Sequence, residues 1–107
     1  MCDNRGRALY FSRAPIPWHT EAFQTDPKVM PSDQCYYRHL GIYAYRASYL
    51  LDFEKHERSV LERTESLEQL RVLYYGGTIA VAPALERAGP GVDTQRDLDK
   101  VREMVSR

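Results

Sequence analysis

The stretch "RHLGIYAYR" (residues 38–46) combines side chains that bind polar ligands with the alternation of a β-strand. Residues 35–45 repeat with a period of two, which predicts a strand. One face is predicted to be core, and it carries Tyr36, Leu40, Ile42 and Ala44. The other face carries His39 and Tyr43 together with Tyr37, Gly41 and Tyr45. Imidazole and phenol groups donate and accept hydrogen bonds, so this polar face fits a ligand or, equally, satisfied side chains of a half-buried sheet.

Four other residues offer binding chemistry, and each has an ordinary structural alternative. Glu68 and Gln69 in "LEQLRVL" combine an acceptor-only carboxylate with an amide that donates and accepts, yet both are common surface helix formers. Asp93 in "GVDT" precedes a helix start, where an aspartate also stabilises the helix dipole. Arg13 in "FSRAPIPW" precedes a rigid loop and suits a carboxylate, a phosphate or a structural salt bridge.

The first third of the chain contains turns and loops around one strand. Residues 4–6 predict a tight turn, followed by a strand over residues 8–11. Only three residues precede the turn, so we expect the incoming strand to be missing and the chain to begin within a structural unit. The two prolines of residues 13–18 predict a rigid extended loop. Residues 19–33 predict an irregular surface segment without a motif.

Two helical segments follow the predicted strand of residues 35–45. A short helix is predicted over residues 47–53, with Leu50 and Leu51 packed inward. Ser59 and Glu62 have capping-box spacing, which predicts a helical turn before a longer helix over residues 64–75. Gly76 and Gly77 stop that helix, and its apolar positions are Leu67, Leu70, Val72 and Leu73.

The last third predicts a strand, a loop and a helix. Residues 78–84 form an apolar, β-rich run typical of a buried strand, and residues 88–93 form a loop rich in glycine and proline. Thr94 caps a final helix, with Asp97 near its positive end. The predicted buried stripe of that helix is Leu98, Val101 and Val105. The order of strands and helices favours an α/β layered architecture.

Composition limits the class of protein. The 107 residues, 43% of them apolar, allow one domain at most. Fifteen basic and fifteen acidic residues cancel, so no net field draws the chain to nucleic acid or to anionic lipid. No apolar run approaches the roughly 18 residues that span a membrane. Without a signal peptide or a CxxC pair, Cys2 and Cys35 are expected to be reduced thiols of a cytoplasmic protein.

Four motifs together identify a resemblance. "YFSRAPIPW", "RHLGIYAYR", "ESLEQLRVLYYGGTIAV" and "GPGVDTQRDLDKVREMV" resemble, in order and spacing, the C-terminal half of the 3-deoxy-manno-octulosonate (Kdo) cytidylyltransferases. The resemblance covers nearly the whole chain apart from residues 19–33 and 55–63. It implies the α/β fold of nucleotide-diphospho-sugar transferases, with residues 1–107 as a single partial domain and the N-terminal nucleotide-binding half absent.

The resemblance also implies an activity and its partners. Members transfer CMP from CTP to the anomeric hydroxyl of Kdo with magnesium, releasing pyrophosphate, and the product serves lipopolysaccharide assembly. We therefore expect CTP and Kdo as substrates, Mg²⁺ as cofactor, and a homodimer in the full-length family. No nucleic acid or membrane partner is expected. A cytidylyltransferase for another acidic sugar, such as a sialic acid, and an inactive remnant that serves only for association remain as alternatives.

Roles for individual residues come from the same resemblance. His39 and Tyr43 line the pocket for the sugar acid, where residues four apart on a strand lie about 13 Å apart and contact opposite parts of one ligand. Glu68 and Gln69 bind the sugar hydroxyls, and Asp93 helps to hold the catalytic magnesium. Arg13 is the remaining candidate for the sugar carboxylate or a phosphate. The family usually has proline where this chain has Gln95, which affects only the first helical turn.

Overall fold

Five short helices connected by loops form most of the computed structural model, which describes residues 1–32 and 35–106. The helices are α1 (Thr20–Thr25), α2 (Ala47–Phe53), α3 (Val60–Glu65), α4 (Gln69–Tyr74) and α5 (Gln95–Val105). Within the described residues, β structure is limited to two antiparallel bridges, Cys2 with Ala8 and Arg7 with Ala80. No described helix has the length and apolar content to cross a membrane.

The predicted turn at residues 4–6 is confirmed. The Asp3 carboxylate accepts hydrogen bonds from the backbone N–H groups of Arg7 and Arg5, which lower the pKa of that carboxyl. Gly6 takes the left-handed conformation (φ 74°) that the turn requires. The expectation of a missing incoming strand is wrong, because residues 1–3 pair with residues 7–9 through two backbone hydrogen bonds of 2.8 and 2.9 Å.

The two strands predicted at residues 8–11 and 78–84 are much shorter than expected. The Ala8 N–H donates to Ile79 O (2.8 Å) and the Val81 N–H donates to Gly6 O (2.7 Å), and the pairing stops there. Residues 80–84 are exposed, so the prediction of a buried strand is wrong. A β-rich sequence forms a strand only where a neighbouring backbone accepts its hydrogen bonds.

The region of residues 13–32 contains a loop and a helix. Residues 13–18 are a loop as predicted, with a cis peptide bond between Ile16 and Pro17. The irregular segment predicted at residues 19–33 instead contains α1, and its residue 33 lies outside the described residues. His19 caps α1, because its Nδ1 accepts from the Ala22 N–H (3.2 Å). Histidine is an uncommon cap, so the sequence did not predict this helix.

Phe23 of α1 is the centre of a first small core. Its ring lies 4.6 Å from the Trp18 ring and 6.2 Å from the Tyr36 ring, measured between centroids. The Tyr36 hydroxyl donates to Pro17 O at 2.6 Å. Tyr36 is thus tied both to this core and to the proline-rich loop.

The strand predicted at residues 35–45 is wrong as a sheet element. No other described segment pairs with it, and its predicted core face is only partly covered: Tyr36 contacts the first core, but Ile42 is 88% exposed. Alternation of side chains sets which residues share a face, but a strand also needs a paired backbone. The segment is an extended connection between the first core and α2.

Helix α2 has the predicted bounds, residues 47–53, but buries a different side chain. Phe53 is buried, whereas Leu50 and Leu51 are exposed, so their predicted inward packing is wrong. The Ser59 cap is confirmed, because its Oγ accepts from the Glu62 N–H (3.1 Å) at the start of α3.

The helix predicted over residues 64–75 is interrupted. Ser66 adopts the left-handed conformation (φ 52°, ψ 46°) and ends α3, and α4 begins three residues later. Helix α4 ends before Gly76, which has φ 82°, as the glycine pair predicts. A non-glycine residue in this conformation gives no clear pattern in sequence, so the break was not predicted.

Helices α3 and α4 pack on each other and form the second core. Leu70 and Val72 of α4 are buried there. The buried Glu62 carboxylate accepts two hydrogen bonds of 2.7 Å from the Arg71 guanidinium, which also lies 4.4 Å above the Phe53 ring centroid. An ion pair and a cation–π contact therefore join α2, α3 and α4.

Helix α5 confirms the predicted Thr94 cap but not the predicted buried stripe. Thr94 and Asp97 form a reciprocal capping box. Leu98 and Val101 are only partly covered and Val105 is 81% exposed. The radius of gyration, 16.9 Å, exceeds the value of about 13 Å typical of a compact domain of this length. The described residues thus surround two small cores rather than one layered sheet.

Candidate functional site

His39 and Tyr43 contact each other directly. The His39 Nε2 is hydrogen-bonded to the Tyr43 hydroxyl, and the two ring centroids lie 5.7 Å apart. The expected separation of about 13 Å is wrong, because it assumes the regular rise of a strand that does not form. Phe11 packs against the other side of the imidazole at 4.9 Å. The pair therefore presents one joint polar surface.

A continuous row of aromatic side chains, the aromatic row, extends from this pair to the second core. Tyr43 contacts Tyr45 with ring centroids 6.1 Å apart, Tyr45 stacks on Tyr49 at 6.4 Å, and Tyr49 contacts Phe53 at 6.5 Å. These spacings are typical of favourable ring pairs. The row thus places successive aromatic rings in contact, although no strand within residues 1–32 and 35–106 pairs with this segment.

Partial burial keeps the groups of this surface neutral. Loss of hydration, followed by the positive chain terminus, lowers the pKa of His39. Loss of hydration also raises the pKa of Tyr43 and Tyr45, with the Glu68 carboxylate contributing to the shift at Tyr45. At neutral pH the surface therefore offers a neutral imidazole and neutral phenols, which donate and accept hydrogen bonds.

Glu68 and Gln69 lie in different environments. Glu68 is exposed and lines an open cavity of about 360 Å³ with Tyr45 and Arg71, and the other lining residues are Leu50, Phe53 and Glu54. Gln69 is only 6% exposed, and its Nε2 has no hydrogen-bond partner among the described residues. Buried amides are normally satisfied, so this donor calls for an explanation.

The structure connects three of these four predicted residues by contacts. His39 contacts Tyr43, Tyr43 contacts Tyr45, and Tyr45 lines the same cavity as Glu68. Gln69 follows Glu68 in sequence and, unlike it, is buried. The predicted residues thus form a hydrogen-bonded pair and a helix start, joined through Tyr45.

Arg13 is engaged with the protein backbone. Its Nε donates to Glu65 O at 2.7 Å and its Nη2 donates to Ser66 O at 3.0 Å. Its backbone N–H donates to Glu65 Oε2 (3.1 Å), and the Ser12 hydroxyl donates to Glu65 Oε1 (2.7 Å). These bonds, the Ser12 bond first, lower the pKa of Glu65. Arg13 therefore has a structural role, but its guanidinium caps backbone carbonyls where the sequence suggested a salt bridge.

Asp93 lies in the exposed loop before the Thr94 cap. The residues described, 1–32 and 35–106, contain no group of three His, Cys, Asp or Glu side chains close enough to hold a metal ion. A carboxylate oxygen is the hard ligand that Mg²⁺ prefers, so the chemistry of Asp93 fits this ion as one ligand of several.

Comparison with known proteins places the chain in a family. A family model described as Cytidylyltransferase matches residues 1–80. The chain belongs to the cytidylyltransferase family.

Relatives of this cytidylyltransferase chain carry one common name. The chain is 50% identical over 103 residues to the 3-deoxy-manno-octulosonate cytidylyltransferase of Alcanivorax borkumensis, with 96% of the chain and 41% of the relative covered. It is 53% identical over 104 residues to the protein of the same name from Nitrosococcus oceani, with 96% and 40% covered. The chain thus spans about two fifths of the length of these relatives.

A solved structure supports the fold class at a coarse level. This chain superposes on CMP:2-keto-3-deoxy-manno-octonic acid synthetase complexed with CTP, with a TM-score of 0.81 and 40% identity. The match covers 99% of this chain and 40% of that chain. That neighbour has a nucleotide-sugar-transferase-like fold, whereas the described part of this chain consists mainly of helices and loops.

Sequence patterns did not identify all the residues that organise the site. Glu62 and Arg71 lie nine positions apart across the Ser66 break, and Glu65 meets Arg13 from 52 positions away. Neither spacing matches a helix or strand period. Only an arginine beside a proline-rich loop indicated in the sequence that such a contact forms.

Proposed function

We propose that this chain carries the sugar-acid-binding part of an enzyme that transfers CMP from CTP to Kdo. In that reaction the anomeric hydroxyl oxygen of Kdo attacks the α-phosphorus of CTP, the bond to the β-phosphate breaks, and pyrophosphate leaves. The observation that carries the proposal is the identity of 50% and 53%, over 96% of this chain, to two proteins named for this activity. The product would serve lipopolysaccharide biosynthesis.

The His39–Tyr43 pair and Glu68 are proposed to bind the hydroxyls of Kdo, with Gln69 beside them. Neutral imidazole and phenol groups suit neutral hydroxyls, and the Glu68 carboxylate accepts hydrogen bonds from them. The free Nε2 donor of Gln69 supports its assignment, because a ligand oxygen would satisfy it. A pocket of this kind strongly rejects analogues that lack the hydroxyls.

Asp93 is proposed as a ligand of the magnesium ion that such an enzyme uses. When bound, the ion would neutralise charge that develops on the phosphates of CTP. Asp93 lies in an exposed loop fixed at one end by the Thr94 capping box, so its carboxylate is open to solvent.

The setting of the reaction follows from its substrates. We place it in the cytoplasm, where CTP is found and where Cys2 and Cys35 would stay reduced, and both are free thiols in the structure. The active form is proposed to be a homodimer of the full-length protein, as the sequence resemblance implies.

A chimera tests the proposal. The 107-residue chain replaces the matched two fifths of the Alcanivorax borkumensis protein, and pyrophosphate release is measured with CTP, Mg²⁺ and Kdo. We expect turnover with Kdo and none with a sialic acid. The isolated chain should release none, since positioning of both reactants contributes about 7 to 11 kcal/mol to such a step. A folded chimera that binds CTP but ignores Kdo, or prefers the sialic acid, contradicts the proposal.

A further inference from the structure

The turn at Ser66 determines where α4 begins. Its left-handed conformation (φ 52°, ψ 46°) is disfavoured for a residue that carries a Cβ atom. Glu68 and Gln69 follow it by two and three residues, at the start of α4. The geometry of this turn therefore sets the direction in which both side chains leave the backbone.

Arg13, at the start of the proline-rich loop, hydrogen-bonds to this turn. Its guanidinium bridges the carbonyls of Glu65 and Ser66, which belong to the peptide groups before and after the Ser66 Cα atom. The Glu65 side chain also contacts this loop, because its carboxylate accepts hydrogen bonds from the Ser12 hydroxyl and the Arg13 N–H. These four hydrogen bonds, the Arg13 latch, connect the proline-rich loop to the end of α3, where carbonyls lack helical partners.

We propose that Arg13 is a positioning residue, which fixes the Ser66 turn and thereby aims Glu68 and Gln69 at the sugar acid. This inference rests on the proposed function. Gln69 is buried at 6% exposure, so its packed side chain has little room to rotate and a displaced backbone displaces its amide. Arg13 itself makes its bonds to main-chain oxygens and needs no contact with the substrate.

A double substitution in the chimera separates positioning from substrate contact. Arg13→Gln should raise the KM for Kdo about tenfold, because two charge-assisted hydrogen bonds are lost, and should change the KM for CTP less than about twofold. Ser66→Gly lets the turn adopt its left-handed conformation without support. In the Ser66→Gly background, Arg13→Gln should therefore raise the KM for Kdo less than about threefold. A full tenfold rise in both backgrounds overturns the proposal, since it indicates direct contact.

Arg63→Gln is the matched control. Arg63 is an exposed arginine of α3 whose Nη1 donates to Arg58 O at 2.6 Å, away from the Ser66 turn. This variant should leave both KM values within about twofold of the parent. An equal rise of the KM for Kdo in Arg63→Gln and Arg13→Gln contradicts a specific role for the latch.

If the parent chimera does not use Kdo, the proposed function has failed. The Arg13 latch is then tested by a second measurement that does not depend on activity. The Leu67 N–H donates to Glu62 O across the turn at 3.3 Å. In the 107-residue chain its hydrogen exchange should accelerate at least about fivefold in Arg13→Gln and return toward the parent rate in Ser66→Gly/Arg13→Gln. Equal exchange in the parent and Arg13→Gln shows that Arg13 does not hold the turn.

Discussion

Replacing Glu62 with glutamine tests the ion pair at the centre of the second core. The Glu62 side chain is 4% exposed and accepts two hydrogen bonds from Arg71, whose side chain is 14% exposed. Arg58 adds a third bond of 3.1 Å from a more exposed position. Glu62→Gln keeps the shape of the side chain but leaves the Arg71 cation without a counter-charge.

The cost of this change follows from burial. Removing one partner of a buried ion pair typically costs 3–5 kcal/mol, because the remaining charge stays desolvated. The partial exposure of Arg71 allows some rehydration, and the glutamine oxygen retains one acceptor, so we expect about 3 kcal/mol. With an m-value of about 1.5 kcal/mol/M, the midpoint of urea unfolding should fall by about 2 M.

The assay is urea unfolding of the 107-residue chain followed by far-ultraviolet circular dichroism, at one protein concentration because association shifts apparent stability. Asp52→Asn is the control, since Asp52 pairs with Lys55 at 3.5 Å on the exposed surface of α2. The control should cost less than about 0.5 kcal/mol. Equal, small losses in both variants would refute the argument that burial makes the Glu62 pair important.

The same pair predicts a dependence on pH. The hydrogen bonds from Arg71 lower the pKa of Glu62 in the folded chain below its ordinary value of 4.5. A carboxyl whose pKa is lower when folded stabilises the protein above the unfolded pKa and loses this effect as pH falls through the folded pKa. The stability difference between the parent and Glu62→Gln should therefore be constant near neutral pH and shrink below about pH 4.5. A difference that grows on acidification contradicts this sign.

In the chimera, Asp93→Asn should lower kcat about 100-fold or more, because a charged magnesium ligand is lost, and should leave the melting temperature unchanged. Unchanged turnover at limiting magnesium excludes Asp93 as a magnesium ligand. His39→Ala and Glu68→Ala should each raise the KM for Kdo about tenfold or more and that for CTP little, and equal rises for both substrates count against a sugar site. The isolated chain should self-associate, since apolar side chains such as Ile42 and Leu85 are open to solvent; a single monomeric species in sedimentation at low micromolar concentration contradicts this.

Helices were predictable where the residues that specify them lie three or four positions apart in the sequence. The Ser59 and Thr94 caps mark the starts of α3 and α5, and the bounds of α2 agree with the pattern of residues 47–53. These features depend on neighbours three or four positions away, which the sequence displays directly. Only His19 acted as a cap without the usual residue type.

Features that depend on distant partners were not predictable. The alternation of residues 35–45 predicts His39 and Tyr43 on one face but about 13 Å apart, whereas no described strand pairs with this segment and the two side chains are in contact. The break at Ser66 is held by Arg13 from far along the chain. The hydrophobic pattern also predicted that Leu50 and Leu51 are buried. The structure instead buries Phe53, the last residue of α2.

The candidate site was found through motifs, and its geometry was not. The motifs indicated His39, Tyr43 and Glu68, but gave no sign that Tyr45 would connect them. Residue types specify which hydrogen bonds a site offers, while distances depend on the backbone path. The assignment of Asp93 to magnesium still rests on family resemblance and on the chemistry of its carboxylate.

The packing of Trp18 on Phe23 makes intrinsic fluorescence a selective optical probe of this chain. Trp18 is the single tryptophan, it is 58% exposed, and its ring lies 4.6 Å from that of Phe23. Its emission therefore reports the environment of α1 and the proline-rich loop, while the Glu62–Arg71 pair lies in a separate core without an indole. Emission and helical dichroism should follow different transitions wherever the two cores unfold independently. Emission that stays constant while the helical signal is lost would show that α1 retains its packing after α3 and α4 have separated.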